Sequence, residues 1–186
     1  MLKVYLASPL GFSPEWKSYR DKIKRLLTDL AFTVLDSWDP KFHKVIEEAS
    51  AIQDWPARVA AFRDIARQIG RANEDMIRTC DIVFGVLEGA EVDSGTASEI
   101  GFAAGLGKKC YGLRSDFRDS GDFDGIPINL QVLYWIEASA GKRFRKIEEL
   151  TEDTHVAPLI QRSTLYGNRK REDCRHARFL RVHSSR

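Results

Sequence analysis

The stretch DIVFGVLEGAEVDSGTASEIGFAAGLGKKCYGLRS (residues 81–115) decides the fold. Its first part, DIVFGVL (81–87), is apolar after the initial Asp, which is typical of a strand covered on both faces of a sheet. A helix rich in small residues is predicted next, ending near Gly107, and KCYGLRS (109–115) has the composition of another strand. A strand, a helix and a strand in this order predict two parallel strands joined by a right-handed crossover.

The same alternation continues on both sides of this unit. Further strands are predicted at LKVYLAS (2–8), FTVLD (32–36) and KRFR (142–145). Helices are predicted from Ser13-Pro14 to near Phe32, in two segments of 41–78 that Trp55-Pro56 divides, at 128–139 and at 146–153. The chain is therefore expected to be an α/β protein, a three-layer Rossmann-like or flavodoxin-like sandwich with a central parallel five-stranded sheet.

The length of 186 residues predicts one well-cored domain, residues 1–150, followed by a basic C-terminal extension, residues 151–186. The extension carries eight Lys and Arg against four acidic residues, and because the whole chain has a net charge of +2, the domain itself is slightly acidic. Such a domain has no basic footprint, so nucleic acid is not an expected partner. The extension is expected to be solvated or packed in an oligomer.

Several classes of protein are not expected from the composition. The N-terminus has no basic segment ahead of an apolar stretch, so it is not a signal peptide, and no apolar run approaches the about 18 residues of a membrane span. The odd number of widely spaced cysteines favours reduced thiols in a cytoplasm: Cys80, Cys110 and Cys174. No histidine has metal-ligand spacing with them, so we expect a cytoplasmic protein with no metal site and no cofactor.

Ligands of such sheets bind at the carboxyl ends of the strands, where the strand order reverses. By prediction, residues 5–12, 36–39 and 88–99 lie at this edge, and the last segment has the densest set of polar groups. It contains neither G-x-G-x-x-G nor G-x-x-x-x-G-K-[ST], so its glycines predict neither a dinucleotide site nor a P-loop.

Asp93 and Glu99 in this segment allow two interpretations. Thr96 followed three residues later by Glu99 is a capping box, which satisfies amides at a helix start and requires no activity. Alternatively, Asp93 and Glu99 are a pair of working carboxylates, since Gly95 lets the backbone approach a ligand and a helix dipole keeps a first-turn carboxylate ionised. The two interpretations are not exclusive.

Four ordered segments carry a resemblance to a known family: YLASPLGFSPE (5–15), NEDMIRTCDIVFGVL (73–87), DSGTASEIGFAAGLGKKCYGLRSDFR (93–118) and GIPINL (125–130). Together they resemble the nucleoside 2-deoxyribosyltransferase family over roughly residues 2–150. The resemblance implies the sandwich fold predicted above and cleavage of the N-glycosidic bond of 2'-deoxynucleosides.

The resemblance also implies roles for individual residues. The nucleophile of the family falls on Glu99, its second acid on Asp93, and the tyrosine of its first strand on Tyr5, which would otherwise be a core aromatic. The asparagine that holds the sugar in a neighbouring subunit's site falls on Asn129, which implies a homo-oligomer. Asn129 could also simply cap the helix that starts at Leu130.

Substrate contacts are expected from Ser8, Phe12, Asn73, Gly95 and Asn129. Asn73 stands where several members of the family have Asp, and it is expected to affect base recognition. The segment ASPLGFSP (7–14) lacks the Gly-Ser-rich phosphate loop of members that act on nucleotides, which favours free nucleosides as substrates.

Other polar and aromatic side chains have alternative interpretations. Phe12 and Trp38 could stack on a base, although buried aromatics are commoner. Arg114 and Arg118 could bind phosphate, although an ion pair with Asp116 is the simpler expectation.

Three functions are therefore compared. The first is transfer of deoxyribose between bases through Glu99, with a deoxynucleoside and a free nucleobase as partners. The second is an N-glycoside hydrolase of deoxynucleosides or their 5'-monophosphates, in which water replaces the acceptor base. The third is a nucleotide-binding module without activity, in which Glu99 only caps a helix.

Overall fold

The structure of the protein, a computed structural model, describes residues 1–38 and 41–152. Five parallel strands form its central sheet: β1 (Leu2–Ala7), β2 (Phe32–Asp36), β3 (Ile82–Val86), β4 (Lys109–Leu113) and β5 (Arg143–Phe144). Their order is β2-β1-β3-β4-β5, the flavodoxin-like arrangement, and every neighbouring pair is parallel. The predicted three-layer α/β sandwich with a five-stranded parallel sheet is confirmed.

Helices connect the strands and cover both faces of the sheet. They are α1 (Lys17–Asp29), α2 (Lys41–Ser50), α3 (Trp55–Thr79), α4 (Ser94–Gly105), α5 (Leu130–Ala138) and α6 (Glu149–Glu152), and two short 3₁₀ helices (Pro9–Phe12 and Pro14–Trp16) precede α1. Because the chain passes from β1 outward to β2 and then returns to β3 on the other side of β1, the order reverses between β1 and β3. A ligand site is expected outside the carboxyl ends of these two strands.

The alternating side chains of β1 divide the core into two halves. Val4 and Leu6 pack in one cluster, to which α1 contributes Ile23 and Leu27. Tyr5 and Ala7 face the other cluster, which α3, α4 and α5 supply with Ile77, Ile100, Ala103, Val132 and Ile136. All residues of β3 are buried, as its continuous apolar run predicts.

The predicted helix boundaries differ from the observed ones in a few places. Ser13 makes no side-chain cap, and the helix expected from Pro14 starts as a 3₁₀ turn before α1 begins at Lys17. The same helix ends before Phe32 because Ala31 has a positive φ of 63°. Gly107, the predicted end of α4, lies just beyond it with a φ of 74°, which favours glycine.

The predicted extension, residues 151–186, lies outside the described residues from position 153 onward, and so does Cys174. Among the helices described, none has the length and apolar character needed to cross a membrane.

Candidate active site

A cavity of about 260 Å³ opens at the place where the strand order reverses. The loops after β1 and β2, the start of α4, and the helices α2 and α3 surround it. Its lining consists of Ser8, Phe12, Ser37, Trp38, Phe42, His43, Ile46, Ile69, Asn73, Asp93, Gly95, Thr96 and Glu99. All three segments that the sequence placed at this edge contribute to the lining.

Glu99 is held in the cavity by two side chains from distant parts of the chain. The hydroxyl of Tyr5 donates to its Oε1 at 2.8 Å, and Asn73 Nδ2 donates to the same oxygen at 3.0 Å. Tyr5 lies on β1 and Asn73 on α3, so the fold of the whole sheet brings the three groups together. Glu99 Oε2 accepts no hydrogen bond from the part of the chain that the structure describes.

The capping-box interpretation of Thr96 and Glu99 is wrong. The N-cap of α4 is Asp93, whose Oδ1 accepts from the backbone amide of Thr96 at 2.9 Å and from its hydroxyl at 3.2 Å. Glu99 lies inside the helix and contacts side chains instead of end amides. Glu99 therefore satisfies no amide at the start of α4, and Asp93 is the residue that caps this helix.

The surroundings of Glu99 act on its ionisation in opposite directions. Burial raises the pKa of Glu99, the charge of Asp93 raises it further, and the hydrogen bonds from Tyr5 and Asn73 oppose the rise. Burial, followed by the charge of Glu99, also raises the pKa of Tyr5 far above its usual range. The phenol of Tyr5 therefore stays protonated and can only donate to the carboxylate.

Asp93 combines its capping role with a place in the cavity wall. Only its Oδ1 is used by Thr96, and Asp93 lines the same cavity as Glu99. Gly95, in the first turn of α4, keeps this corner open, since a Cβ on Gly95 would lie 3.1 Å from Asp93 Oδ1. The helix start thus presents a carboxylate to the cavity at the positive end of the α4 dipole.

The predicted substrate contacts fall into two groups. Ser8, Phe12, Asn73 and Gly95 all line the cavity. Asn129 does not: its Oδ1 caps α5 by accepting from Gln131 N at 3.0 Å and Val132 N at 3.3 Å, and it borders a separate depression. Within one chain, Asn129 therefore caps α5, which was the alternative interpretation of this residue.

Several lining residues carried no sequence motif. Ser37 belongs to the loop after β2, which the predicted topology does place at the ligand edge. Phe42, His43 and Ile46 come from α2 and Ile69 from α3, and only the assembled fold brings these helix faces over the cavity. The predicted position of the loop after β2 at the ligand edge is therefore the one sequence signal that pointed to Ser37.

The two arginines considered as phosphate ligands are used elsewhere. Arg118 forms an ion pair with Asp116, its Nε donating to Oδ1 at 2.9 Å. Arg114 is buried and donates to the carbonyls of Leu87 at 2.8 Å and Gly89 at 2.9 Å, so it braces the loop that leads to α4. In the described ranges, no group of His, Cys, Asp and Glu is arranged to hold a metal ion.

Comparison with known proteins identifies a family and similar folds. The sequence model of the nucleoside 2-deoxyribosyltransferase family matches residues 4–131. A conserved protein from Enterococcus faecalis V583 has a similar structure, with 24% identity, a TM-score of 0.60, and coverage of 82% of this chain and 96% of its own. A 2-deoxyribosyltransferase from the psychrotolerant bacterium Bacillus psychrosaccharolyticus is 26% identical, with a TM-score of 0.52 and coverage of 80% and 89%. No curated protein matches the chain significantly.

Proposed function

Because the chain belongs to the nucleoside 2-deoxyribosyltransferase family, we propose that it exchanges the base of a 2'-deoxynucleoside through a covalent deoxyribosyl ester on Glu99. Family membership supports an enzyme that acts on the N-glycosidic bond of nucleosides. The covalent intermediate and the roles of the residues are argued from the arrangement around Glu99.

In the first half-reaction, Glu99 Oε2 forms a bond to the anomeric carbon of the sugar while the bond from that carbon to the base nitrogen breaks. The electron pair of the broken bond leaves with the base, which receives a proton from or through Asp93. A 2-deoxy sugar lacks the electron-withdrawing 2-hydroxyl, so its oxocarbenium-like transition state forms readily and a carboxylate can capture it. The product is an ester between deoxyribose and Glu99.

In the second half-reaction, an incoming base attacks the same carbon and Glu99 leaves as a carboxylate, while the proton of the attacking nitrogen passes back to Asp93. Two displacements at one carbon give net retention and ping-pong kinetics. Water in place of the base would make the same ester a hydrolytic intermediate. Tyr5 and Asn73 hold Oε1 throughout, which fixes the direction in which Oε2 points.

The observation that carries the proposal is the pair of hydrogen bonds from Tyr5 and Asn73 to one oxygen of Glu99. A carboxylate that only stabilised the helix would need no partners from β1 and α3. Two converging donors orient Glu99 and oppose the rise in its pKa, which favours the ionised form that a nucleophile needs.

The loop after β1 supports a free nucleoside as the substrate. Ser8 Oγ accepts from the backbone amide of Leu10 at 3.1 Å, which starts the 3₁₀ helix of residues 9–12. Both the hydroxyl acceptor and this amide are thus engaged within the loop, and the amide is unavailable to a 5'-phosphate.

Two further parts of the proposal concern the assembly and the compartment. We infer a homo-oligomer in which Asn129 completes the site of a neighbouring subunit, since its exposed position at the N-cap of α5 lies outside the cavity of its own chain. Cys80 and Cys110 are buried free thiols, which supports a reducing compartment such as the cytoplasm.

The test is an exchange assay with and without an acceptor. A 2'-deoxynucleoside is incubated with the protein and a second, isotopically labelled base. Incorporation of the label into deoxynucleoside is the expected result. Release of free base at a rate that does not depend on the acceptor would show hydrolysis instead of transfer. The absence of both exchange and release, with every base tested, would overturn the enzymatic proposal.

A further inference from the structure

We propose that Trp38 is a fixed aromatic wall against which the nucleobase packs, and that Asp36 and Arg20 are positioning residues that hold it there. This inference rests on the proposed function, since it names the part of the same cavity that takes the base. In this proposal Asp36 and Arg20 lie behind the cavity, and they affect the substrate only through the position of Trp38.

The backbone and the ring of Trp38 are both tied to neighbouring elements. Its amide donates to Asp36 Oδ1 at 3.0 Å, and its carbonyl accepts from Arg20 Nη2 at 3.3 Å. Its indole Nε1 donates to the carbonyl of Ser8 at 2.7 Å, which joins the loop after β2 to the loop after β1. The first two hydrogen bonds hold the backbone of Trp38, and the third fixes the direction of its ring.

Asp36 and Arg20 form a sheltered ion pair behind the loop. Arg20 donates to Asp36 Oδ2 through both Nη2, at 2.7 Å, and Nε, at 3.2 Å. The side chains are 14% and 9% exposed, so solvent screens this pair less than a surface pair. Lys24 also reaches Asp36 Oδ2, at 2.8 Å, and among the hydrogen bonds of the described residues none joins Lys24 to Trp38.

Packing confines the ring as well. A Cβ built on Gly11 would overlap the indole of Trp38, so the backbone of the 3₁₀ helix lies directly against the ring. The ring of Phe12 meets the indole edge-on, with centroids 4.4 Å apart and an interplanar angle of 79°. Phe12 is 77% exposed, and together with Trp38 it forms an apolar wall that borders the cavity.

The position of this wall suits the flat part of a nucleoside. Glu99, Tyr5 and Asn73 concentrate the polar groups that would act on the sugar, and they come from α4, β1 and α3. The aromatic rings of Phe12 and Trp38 come from the loops after β1 and β2, at the same edge of the sheet. Every base has a π-face that stacks on an aromatic side chain, so a rigid ring provides binding energy that depends little on the base's edge groups.

The first test compares variants of Trp38 in the transfer assay. Trp38→Ala is expected to raise KM for a deoxynucleoside about 10-fold or more, the order of magnitude that stacking of one base contributes. The expected change in kcat is much smaller, because Glu99 keeps its two donors. Trp38→Phe keeps a ring and is expected to raise KM less. Lys17→Ala, which removes an exposed ion pair of α1, is the control.

The second test shows whether the ring's position matters. Gly11 has no unusual backbone angle, so Gly11→Ala acts mainly through its overlap with Trp38. We expect Gly11→Ala to raise KM in the wild-type background and to have no further effect in the Trp38→Ala background. Effects on KM that multiply in the double variant would mean that the two residues act independently, which contradicts the proposal.

The third test separates positioning from charge. Arg20→Ala removes the contact to the Trp38 carbonyl and is expected to raise KM about 5-fold, the worth of about one hydrogen bond. Lys24→Ala removes a cation from the same Asp36 but removes no hydrogen bond to Trp38, so the KM of this variant is expected to stay at the wild-type value. Arg20→Lys restores a cation beside Asp36 and is expected to recover part of the loss.

Wild-type KM in folded Trp38→Ala and Gly11→Ala variants would overturn the inference while leaving the proposed function intact, because transfer would still occur. Equal effects of Arg20→Ala and Lys24→Ala on KM would mean that the ion pair only stabilises the fold, and this result would also overturn the inference. Thermal unfolding of each variant shows that it is folded. Failure of the proposed function has a different signature, namely wild-type protein that neither exchanges nor releases any base.

Discussion

At the scale of single residues, the site depends on the different surroundings of the two carboxylate oxygens of Glu99. Oε1 carries both donors, and Oε2 is left without one among the described residues. A carboxylate held at one oxygen cannot rotate freely, so the other oxygen keeps one direction and one distance to a bound sugar. In the proposed reaction, the partly buried position of Glu99 would limit the access of water that competes for the ester.

Tyr5→Phe tests the contribution of the phenol. It removes one donor to Glu99, and because that hydrogen bond lowers the pKa of Glu99, the pKa is expected to rise. A hydrogen bond to a charged group is worth about 1.5–3 kcal/mol, so kcat/KM is expected to fall about 10- to 100-fold. The acidic limb of the pH–rate profile should move to higher pH, because Glu99 would become protonated earlier as the pH falls.

A tyrosine away from the site serves as the control for this change. Tyr134→Phe alters an exposed residue of α5 and is expected to leave both the rate and the profile as they are. An unchanged acidic limb in Tyr5→Phe would show that the phenol does not influence the nucleophile.

Asn73→Asp tests why this chain has an amide beside Glu99. The substitution replaces a donor with a third carboxylate next to Asp93 and Glu99. Both changes raise the pKa of Glu99, so the acidic limb of kcat/KM is expected to move to higher pH. Asn73→Ala removes only the donor, and its shift should be smaller. A larger shift in Asn73→Ala than in Asn73→Asp would contradict this account.

At the scale of elements, α4 presents both acids to the cavity by different means. Asp93 sits at the N-cap, and Glu99 follows on the helix itself, on the side that faces β1 and α3. Sequence reasoning could place this helix, since the apolar run of β3 and the small residues after it are strong local signals. It could not decide between cap and nucleophile, because the partners of Glu99 are 94 and 26 residues away in the chain.

Asp93→Asn separates the two roles of this residue. Asn and Asp cap helices about equally well, so the free energy of unfolding is expected to change little, whereas Asp93→Ala should lose about 1 kcal/mol. Both variants lose the group that transfers the proton, so kcat is expected to fall by about 10²-fold or more in each. Chemical denaturation and steady-state kinetics measure the two effects. Full activity in Asp93→Asn would assign the proton to another group.

At the scale of the whole molecule, the sheet order determines where the chemistry lies. The alternation of strands and helices predicted the sandwich and its ligand edge, and the cavity lies at that edge. The contributions of α2 and α3 to the lining could not be predicted, because amphipathic helices show which face is buried but not what they cover. Asn129 illustrates a second limit: in one chain its contacts show only the cap of α5, and they do not test the role proposed for it in a neighbouring subunit.

Subunit complementation tests the proposed role of Asn129. Glu99→Gln and Asn129→Ala are each expected to be nearly inactive when expressed alone. If one site takes Glu99 from one subunit and Asn129 from another, co-expression produces mixed oligomers in which some sites have both residues, and activity reappears. Mixed oligomers that form but remain inactive would contradict the shared site, and a monomer by analytical ultracentrifugation would contradict the oligomer.

The most direct test of the central claim is intact-mass spectrometry after mixing the protein with a 2'-fluorinated deoxynucleoside analogue, which slows breakdown of the ester. The account predicts a mass increase of one fluorodeoxyribosyl group, located on the peptide that contains Glu99 and absent from Glu99→Gln. Base release from the natural deoxynucleoside without an adduct for any analogue, or an adduct on another residue, would contradict Glu99 as the nucleophile.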